Sequence, residues 1–149
     1  MEVMFKCCAG LDVHKRIIVA CALVSSAEGV ARPLKTWPTT LAGLEALAAW
    51  LTGLGVTHVA MESTGVYWKP VFNVLAPLFE VWIINASHLK QVPGRKTDVK
   101  DAEWIAQLMR LGLLKRSFIP EVAQRDLTRY RTRLLGKRAS AANRLQKIR

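Results

Sequence analysis

The apolar residues of this chain fall into an ordered series of strand-length and helix-length segments, and this order constrains the fold more than any other feature. Residues 5–13 and 16–24 are two runs rich in small and β-branched apolar side chains, and residues 30–37 form a third run after a turn at 25–29. Because the connections are short and polar, these runs predict three adjacent antiparallel strands.

Helical and strand patterns alternate through the residues that follow. Apolar side chains recur every three or four positions after Pro38, which predicts a helix, and glycines stand where that pattern stops. The predicted elements are a helix from Thr39 or Thr40 to Gly53 or Gly55, a strand at 57–61, a helix from Gly65 to Leu75 stopped by Pro77, a strand at 79–84, a polar loop at 85–97 and a helix over 98–111.

The series of three strands followed by alternating helices and strands is the order of the ribonuclease H-like fold. We therefore predict an α/β domain over residues 1–115, with a mixed five-stranded sheet and flanking helices, followed by a basic helical extension over residues 116–149. In this fold the first strand lies in the middle of the sheet and the strand at 57–61 lies beside it. Residues near the ends of these two strands are then neighbours.

Composition excludes several other classes of protein. The chain has 149 residues, 51% of them hydrophobic, and no apolar run reaches the roughly 18 residues of a membrane span. The N-terminus does not resemble a secretory signal. Cys7, Cys8 and Cys21 lack the spacing of a zinc site or a disulfide framework, so we expect reduced thiols that pack as small apolar residues in a cytoplasmic protein.

The net charge of +11 lies entirely in the second part of the chain. Residues 1–89 carry six basic and six acidic side chains, whereas residues 90–149 carry sixteen basic and five acidic ones. This asymmetry favours nucleic acid as the partner, because the basic part lacks the bulky apolar face of a membrane-bound helix. A solvated basic helix without a ligand is the alternative.

Four carboxylates stand in well-defined settings in this basic protein. Asp12 and Glu62 each follow a buried apolar run, and burial of an isolated charge there would be costly. Asp98 and Asp101 are three residues apart at the start of the last helix, which places them about 5–6 Å from each other on one face. The fold predicts that the strand pair and the helical pair meet.

Such a carboxylate group suits metal-dependent phosphodiester chemistry. Two divalent ions roughly 4 Å apart can stabilise both the attacking and the leaving oxygen, and Mg2+ prefers oxygen ligands. Each acid also has a structural interpretation: Asp12 and Glu62 could simply end strands, Asp98 could cap a helix, and Asp101 could interact with the helix dipole. The four together indicate metal binding more specifically than any one alone.

The strings GLDVHK, MESTGVYW and KTDVKDA, in this order and at these intervals, resemble the N-terminal domain of the DEDD transposases of bacterial insertion sequences. This family includes the pilin-gene invertase, and its first domain resembles the Holliday-junction resolvase RuvC. The resemblance implies that Asp12, Glu62, Asp98 and Asp101 are the catalytic, metal-binding tetrad. It also implies action on DNA with Mg2+ or Mn2+ in the bacterial cytoplasm, at the nucleoid.

The resemblance further implies a coiled-coil region after the first domain and then a second domain with a nucleophilic serine. Because the sequence ends at Arg149 in a basic helical pattern, we expect a truncated protein without the C-terminal transposase domain. Such a fragment would have partial activity or none. Some family members are implied to use a structured guide RNA, and the residues leave open whether this one does.

Basic side chains are candidate contacts to the nucleic acid backbone. Lys96 and Lys100 flank the last two acids and can position phosphates over the metal ions, although a solvated loop is the alternative. In the tail, an intermittent apolar stripe predicts a homodimer or a higher homo-oligomer, with DNA on the basic face. The tail residues assigned to nucleic acid are Arg129, Arg133, Lys137 and Arg138.

Three further side chains near the acids have two interpretations each. His14 lies two residues beyond Asp12, where it could contact phosphate, but a solvated histidine is the expected state. Tyr67 and Trp68 could stack on bases, but we expect both to pack in the core.

The sequence therefore predicts a transposase or recombinase domain that cleaves and transfers DNA strands with divalent metal ions. One alternative is a non-catalytic, basic module for nucleic-acid binding and assembly, in which the fold serves only as a scaffold. Another is a RuvC-like nuclease that resolves branched DNA.

Overall fold

A computed structural model of the protein describes residues 3–62, 65–85, 87, 89 and 101–116. The chain divides into two units, Met1–Phe118 and Ile119–Arg149, and the second lies outside the described residues. The elements of the first are β1 (Cys7–Val13), β2 (Ile17–Ser26), β3 (Gly29–Ala31), β4 (Leu34–Pro38), α1 (Leu41–Gly53), β5 (His58–Glu62), α2 (Trp68–Leu75), β6 (Glu80–Ile84) and α3 (Asp101–Arg110).

The strands form one mixed sheet with β1 at its centre. Its order is β3, β2, β1, β5, β6, and β4 also pairs with β2. β1 is antiparallel to β2 and parallel to β5, which is parallel to β6. This order confirms the predicted α/β class and the predicted placement of the strand at 57–61 beside the first strand.

The third predicted strand is divided into two, so the sheet has six strands rather than five. β3 and β4 both pair antiparallel with β2, and Arg32 and Pro33 lie between them. Pro33 has no backbone N–H to donate, although its carbonyl oxygen accepts a hydrogen bond from the Ala22 nitrogen at 3.0 Å. Proline is tolerated at this position because it lies at the outer side of β2.

The first two helices differ in how well their starts were predicted. Thr40 caps α1 as expected, and its hydroxyl oxygen accepts a hydrogen bond from the Gly43 nitrogen at 3.1 Å. α2 begins at Trp68 rather than at Gly65, because Gly65 has a φ of +58°, which lies outside the right-handed helical region. Residues 65–67 form a turn instead.

The strand periodicity gives the sheet two apolar faces. One face packs against α3 in a cluster that includes Cys8, Cys21, Ala60 and Ile84 with Ile105 of the helix. The alternate strand residues point to the opposite face, as successive side chains of a strand must, and they are also buried. Helices α1 and α2 contact each other and carry the other buried helical side chains, among them Leu44, Leu47, Leu51, Val71, Phe72 and Leu75.

The cysteines pack in the way that the sequence predicts. All three are free thiols; Cys8 and Cys21 are buried and Cys7 is half-buried. The Cys8 thiol donates to the Ala106 carbonyl oxygen at 3.6 Å. Burial raises the pKa of Cys8 to about 12 and that of Cys21 to about 11, so both remain protonated at neutral pH.

No helix in the described part of the chain has the length and apolar character needed to cross a membrane. The predicted loop at 85–97 is described only at Asn85, Ser87 and Leu89. Apart from Arg116, which forms an antiparallel β-bridge with Ile84, the predicted helical extension lies outside the described residues, as do its dimer contacts.

Candidate metal centre

Two of the four predicted acids are adjacent in the sheet. In the parallel pairing of β1 with β5, Gly10 is opposite Ala60 and Leu11 is opposite Met61. The next residues along the two strands are Asp12 and Glu62, so this register brings both acids to the same end of the strand pair, whose paired residues lie about 4.8 Å apart. Both lie on the face of the sheet that packs against α3, since Gly10 and Ala60, two residues earlier, lie on that face.

Helix α3 brings a third acid to the same end of the sheet. It runs antiparallel to β1: the Ala106 carbonyl contacts Cys8, and the Arg110 carbonyl oxygen accepts a hydrogen bond from the Met4 nitrogen at 2.9 Å. The opposite end of the helix therefore points toward Asp12. Asp101 is the first residue of that end and is exposed to solvent.

The close approach of α3 depends on a glycine in the central strand. A Cβ atom at Gly10 would overlap the Ala102 carbonyl oxygen and would lie 2.5 Å from the Ala106 nitrogen. Asp101 precedes Ala102, and Asp12 lies two residues beyond Gly10 on the same face of the sheet. The missing side chain thus allows the helix backbone to lie against β1, immediately beside the strand acids.

His14 is linked to the candidate site by a direct contact. Its Nε2 atom lies 3.0 Å from Asp12 Oδ2, and the side chains are 52% and 23% exposed, respectively. The His14 backbone nitrogen donates to the Ile17 carbonyl oxygen at 2.9 Å, which closes the tight turn between β1 and β2. The expectation of a solvated histidine is therefore incomplete, because the imidazole is exposed but also orients a predicted metal ligand.

A second acid on α3 has a different partner. Glu103, which sequence reasoning did not single out, accepts a hydrogen bond from Arg32 with an oxygen–nitrogen distance of 3.3 Å. This ion pair connects α3 to Arg32, one of the two residues between β3 and β4. It identifies Glu103 as a structural contact between α3 and the sheet.

Three of the four predicted ligands, Asp12, Glu62 and Asp101, lie in the described residues, but they are not close enough to one another to form a metal site. Within residues 3–62, 65–85, 87, 89 and 101–116, no three His, Cys, Asp or Glu side chains lie close enough together to hold a metal ion. The fourth acid, Asp98, is outside these ranges, as are the predicted nucleic-acid contacts Lys96, Lys100, Arg129, Arg133, Lys137 and Arg138.

An open pocket of about 210 Å³ is lined by His14, the residue that contacts Asp12. His14 and Lys15 of the β1–β2 turn form one side, and Tyr67 and Val71 at the start of α2 form another. Tyr67 is 43% exposed, so the prediction that it packs in the core is wrong, whereas the same prediction for Trp68 is confirmed. Tyr67 is the last residue of the turn before α2 and its ring is exposed, whereas Trp68 is the first residue of the helix and its ring is buried.

Comparison with known proteins identifies the family. The family model of the IS110-type DEDD transposases, described as a transposase, matches residues 9–148. The chain belongs to the DEDD transposase family. It is thus a DNA-processing transposase domain, and this membership favours the transposase prediction over the non-catalytic assembly module.

A solved structure shows the same fold. T. thermophilus RuvC in complex with a Holliday junction substrate superposes with a TM-score of 0.50 and 13% sequence identity, covering 74% of this chain and 99% of the RuvC chain. The predicted RuvC-like, ribonuclease H-like architecture of the DEDD transposase domain is therefore confirmed. No curated protein matches the chain.

Proposed function

We propose that this DEDD transposase domain cleaves and transfers DNA strands with Mg2+ or Mn2+ bound by Asp12, Glu62, Asp98 and Asp101. The observation that carries this proposal is the register of β1 with β5, which makes Asp12 and Glu62 neighbours at the strand ends. The direction of α3 adds Asp101 at the same end of the sheet.

The chemistry of these side chains fits a hard divalent cation. All four predicted ligands supply carboxylate oxygens, which are the atoms that Mg2+ and Mn2+ prefer. Asp12 is partly exposed and Asp101 is exposed, so an ion and a phosphate can reach them from solvent. Bound metal supplies charge neutralisation at the attacking and leaving oxygens of the phosphodiester.

The residues around the acids have separate tasks in this proposal. His14 holds Asp12 in position through its 3.0 Å contact, and its ring offers a second nitrogen for a contact to the phosphate. Lys96, Lys100 and the tail residues Arg129, Arg133, Lys137 and Arg138 bind phosphates along the DNA or along a guide RNA. The extension over residues 116–149 begins a coiled coil through which two copies associate at the bacterial nucleoid.

Branched DNA is one form of the proposed substrate. The solved RuvC structure contains a Holliday junction, and the two proteins share a fold. Strand transfer by a transposase also produces branched intermediates, so this domain would bind branched DNA during its own reaction.

Thermal unfolding with and without metal tests the proposal. We expect millimolar Mg2+ or Mn2+ to raise the Tm of the wild type, since a ligand at about 100 times its Kd adds roughly 2.7 kcal/mol to the free energy of unfolding. Asp12→Asn and Glu62→Gln should lose most of this shift. Glu28→Gln is the matched control, because it removes the same charge from an exposed turn and should retain the full shift.

The DNA step is measured separately by gel analysis of labelled branched and linear duplexes. Metal-dependent cleavage that disappears in Asp12→Asn and persists in Glu28→Gln supports the proposal. A wild-type Tm that is unchanged by both metals contradicts it, as does an equal shift in Asp12→Asn.

A further inference from the structure

The pocket beside the candidate metal centre combines an aromatic ring, an apolar floor and basic side chains. Tyr67 presents an exposed ring. Pro70 and Val71 of α2 provide the apolar part of the lining, and Val71 is almost fully buried. His14 and Lys15 also line the pocket and supply donors to anionic or carbonyl oxygens. A planar, partly polar ligand attached to a phosphate matches these three properties.

Hydrogen bonds join two of the segments that line the pocket, the β1–β2 turn and the residue Thr39. The Thr39 hydroxyl donates to the Lys15 carbonyl oxygen at 2.9 Å, and the Thr39 nitrogen donates to the Arg16 carbonyl oxygen at 3.1 Å. These bonds attach the β1–β2 turn to the segment that enters α1. Because the backbone of this turn is held in this way, it loses little conformational entropy when a ligand binds.

The position of the pocket indicates which part of the nucleic acid it receives. His14 lines the pocket and also contacts Asp12, so the pocket and the proposed ligands share one side chain. A nucleotide whose base lies against Tyr67 therefore has its phosphate close to the carboxylates. Both faces of a base in a continuous duplex are stacked on neighbouring bases, so only an unpaired or extruded base can enter.

We propose that this pocket binds an unpaired nucleobase next to the reacting phosphate, with Tyr67 stacked on the base and Lys15 bound to an adjoining phosphate. The proposal rests on the proposed function for the position of the reacting phosphate. It adds a specificity: the domain prefers nucleic acid with an unpaired base at the site of reaction, as at a junction or a strand end. The same chemistry accommodates DNA and RNA, and the test below separates them.

Fluorescence titration with 2-aminopurine oligonucleotides tests the proposal on the full chain. The probes are a DNA hairpin and an RNA hairpin with 2-aminopurine unpaired in the loop, and a fully paired DNA duplex with 2-aminopurine inside. EDTA is present, so that neither metal binding nor cleavage contributes. Stacking on Tyr67 should quench a hairpin probe and leave the duplex probe unchanged, and the hairpin that is quenched identifies the source of the base.

Variants assign the signal to the pocket. Tyr67→Ala should abolish the quenching and weaken hairpin binding about tenfold, because base–aromatic stacking contributes that much per base. Tyr67→Phe should retain both effects. Leu78→Ala is the matched control, since Leu78 is a large apolar side chain that is also exposed but does not line the pocket.

A second variant does not depend on the aromatic ring. Lys15→Gln should reduce the slope of the logarithm of hairpin affinity against the logarithm of salt concentration by about 1, as the loss of one phosphate contact does. An unchanged slope contradicts the phosphate contact. Quenching that persists in Tyr67→Ala, or that is equal for hairpin and duplex, contradicts the base pocket.

The two proposals fail in different ways. If the wild type shows no metal-dependent Tm shift but Tyr67→Ala loses the quenching, the metal proposal is refuted and the pocket remains. If Asp12→Asn loses the metal shift while Tyr67→Ala binds hairpins as the wild type does, the base pocket is refuted and the metal centre remains.

Discussion

The substitution Gly10→Ala tests whether the contact between β1 and α3 positions the candidate site. Gly10 lies in the central strand, and its missing side chain allows the backbone of α3 to approach the sheet. The added methyl group would meet backbone atoms of Ala102 and Ala106, which cannot rotate away as the end of a side chain can. The helix must therefore move as a unit.

The size of the effect follows from the distances at this contact. A Cβ atom at Gly10 would lie 2.5 Å from the Ala106 nitrogen and 3.0 Å from Ile105 Cβ, whereas favourable contacts begin at about 3.5 Å. Restoring that separation moves α3 outward by about 1 Å. Overpacking of this kind costs about 1–3 kcal/mol, and the rigid backbone contacts favour the upper part of this range.

Urea unfolding followed by circular dichroism measures this loss. With a denaturant slope of about 2 kcal/mol per molar, a loss of about 2 kcal/mol lowers the unfolding midpoint by about 1 M. The same displacement moves Asp101 away from Asp12, so the metal-dependent rise in Tm should also decrease. The lower urea midpoint measures the contribution of the contact to stability, and the smaller metal-dependent rise in Tm measures its role in positioning the acids.

Gly53→Ala is the matched control for the same chemical change. No atom lies within 4 Å of a Cβ placed at Gly53, which is the last residue of α1. We expect this variant to be neutral or more stable by up to about 1 kcal/mol, because alanine restricts the unfolded chain. A Gly10→Ala protein with the urea midpoint of the wild type would refute the close-packing argument.

Two further predictions concern thiol reactivity and pH. In a disulfide-exchange assay near neutral pH, Cys7 should react in the native protein, whereas Cys8 and Cys21 should react only after unfolding. The reason is that Cys8 and Cys21 are buried and have raised pKa values. Simultaneous reaction of all three thiols would contradict this prediction. Burial lowers the pKa of His58, and Glu80 opposes this shift. The unfolded chain therefore binds more protons than the folded one, so the free energy of unfolding should fall as the pH falls through about 6.5. His58→Gln should flatten this slope, and unchanged pH dependence in that variant would refute the assignment to His58.

Most elements of the fold were predictable because each depends on local pattern. Alternation of small and β-branched residues identified β1, β2, β5 and β6, and the Thr40 cap with its apolar periodicity identified α1. The errors lie where backbone geometry overrode the pattern. Pro33 divides the third strand, and the positive φ of Gly65 delays the start of α2 to Trp68.

The candidate site was predictable in its residues but less so in its surroundings. Asp12 and Glu62 were recognised because each follows a buried run, and their adjacency followed from the order of the strands. The contact between His14 and Asp12 could not be derived, since the two-residue spacing is equally compatible with a solvated imidazole. The exposed position of Tyr67 depends on where α2 begins, and the sequence signal for that start was misleading.

The sequence by itself determined the α/β class, the central position of the first strand and the acids that mark the proposed reaction centre. These properties depend on hydrophobic periodicity and on the cost of placing a charge beside an apolar run, and both are local. Only the tertiary structure decided how closely α3 approaches β1 over Gly10, and which side chains form the pocket beside Asp12. Those features depend on contacts between residues that are distant in the chain, where a difference of about 1 Å determines whether the side chains can act together.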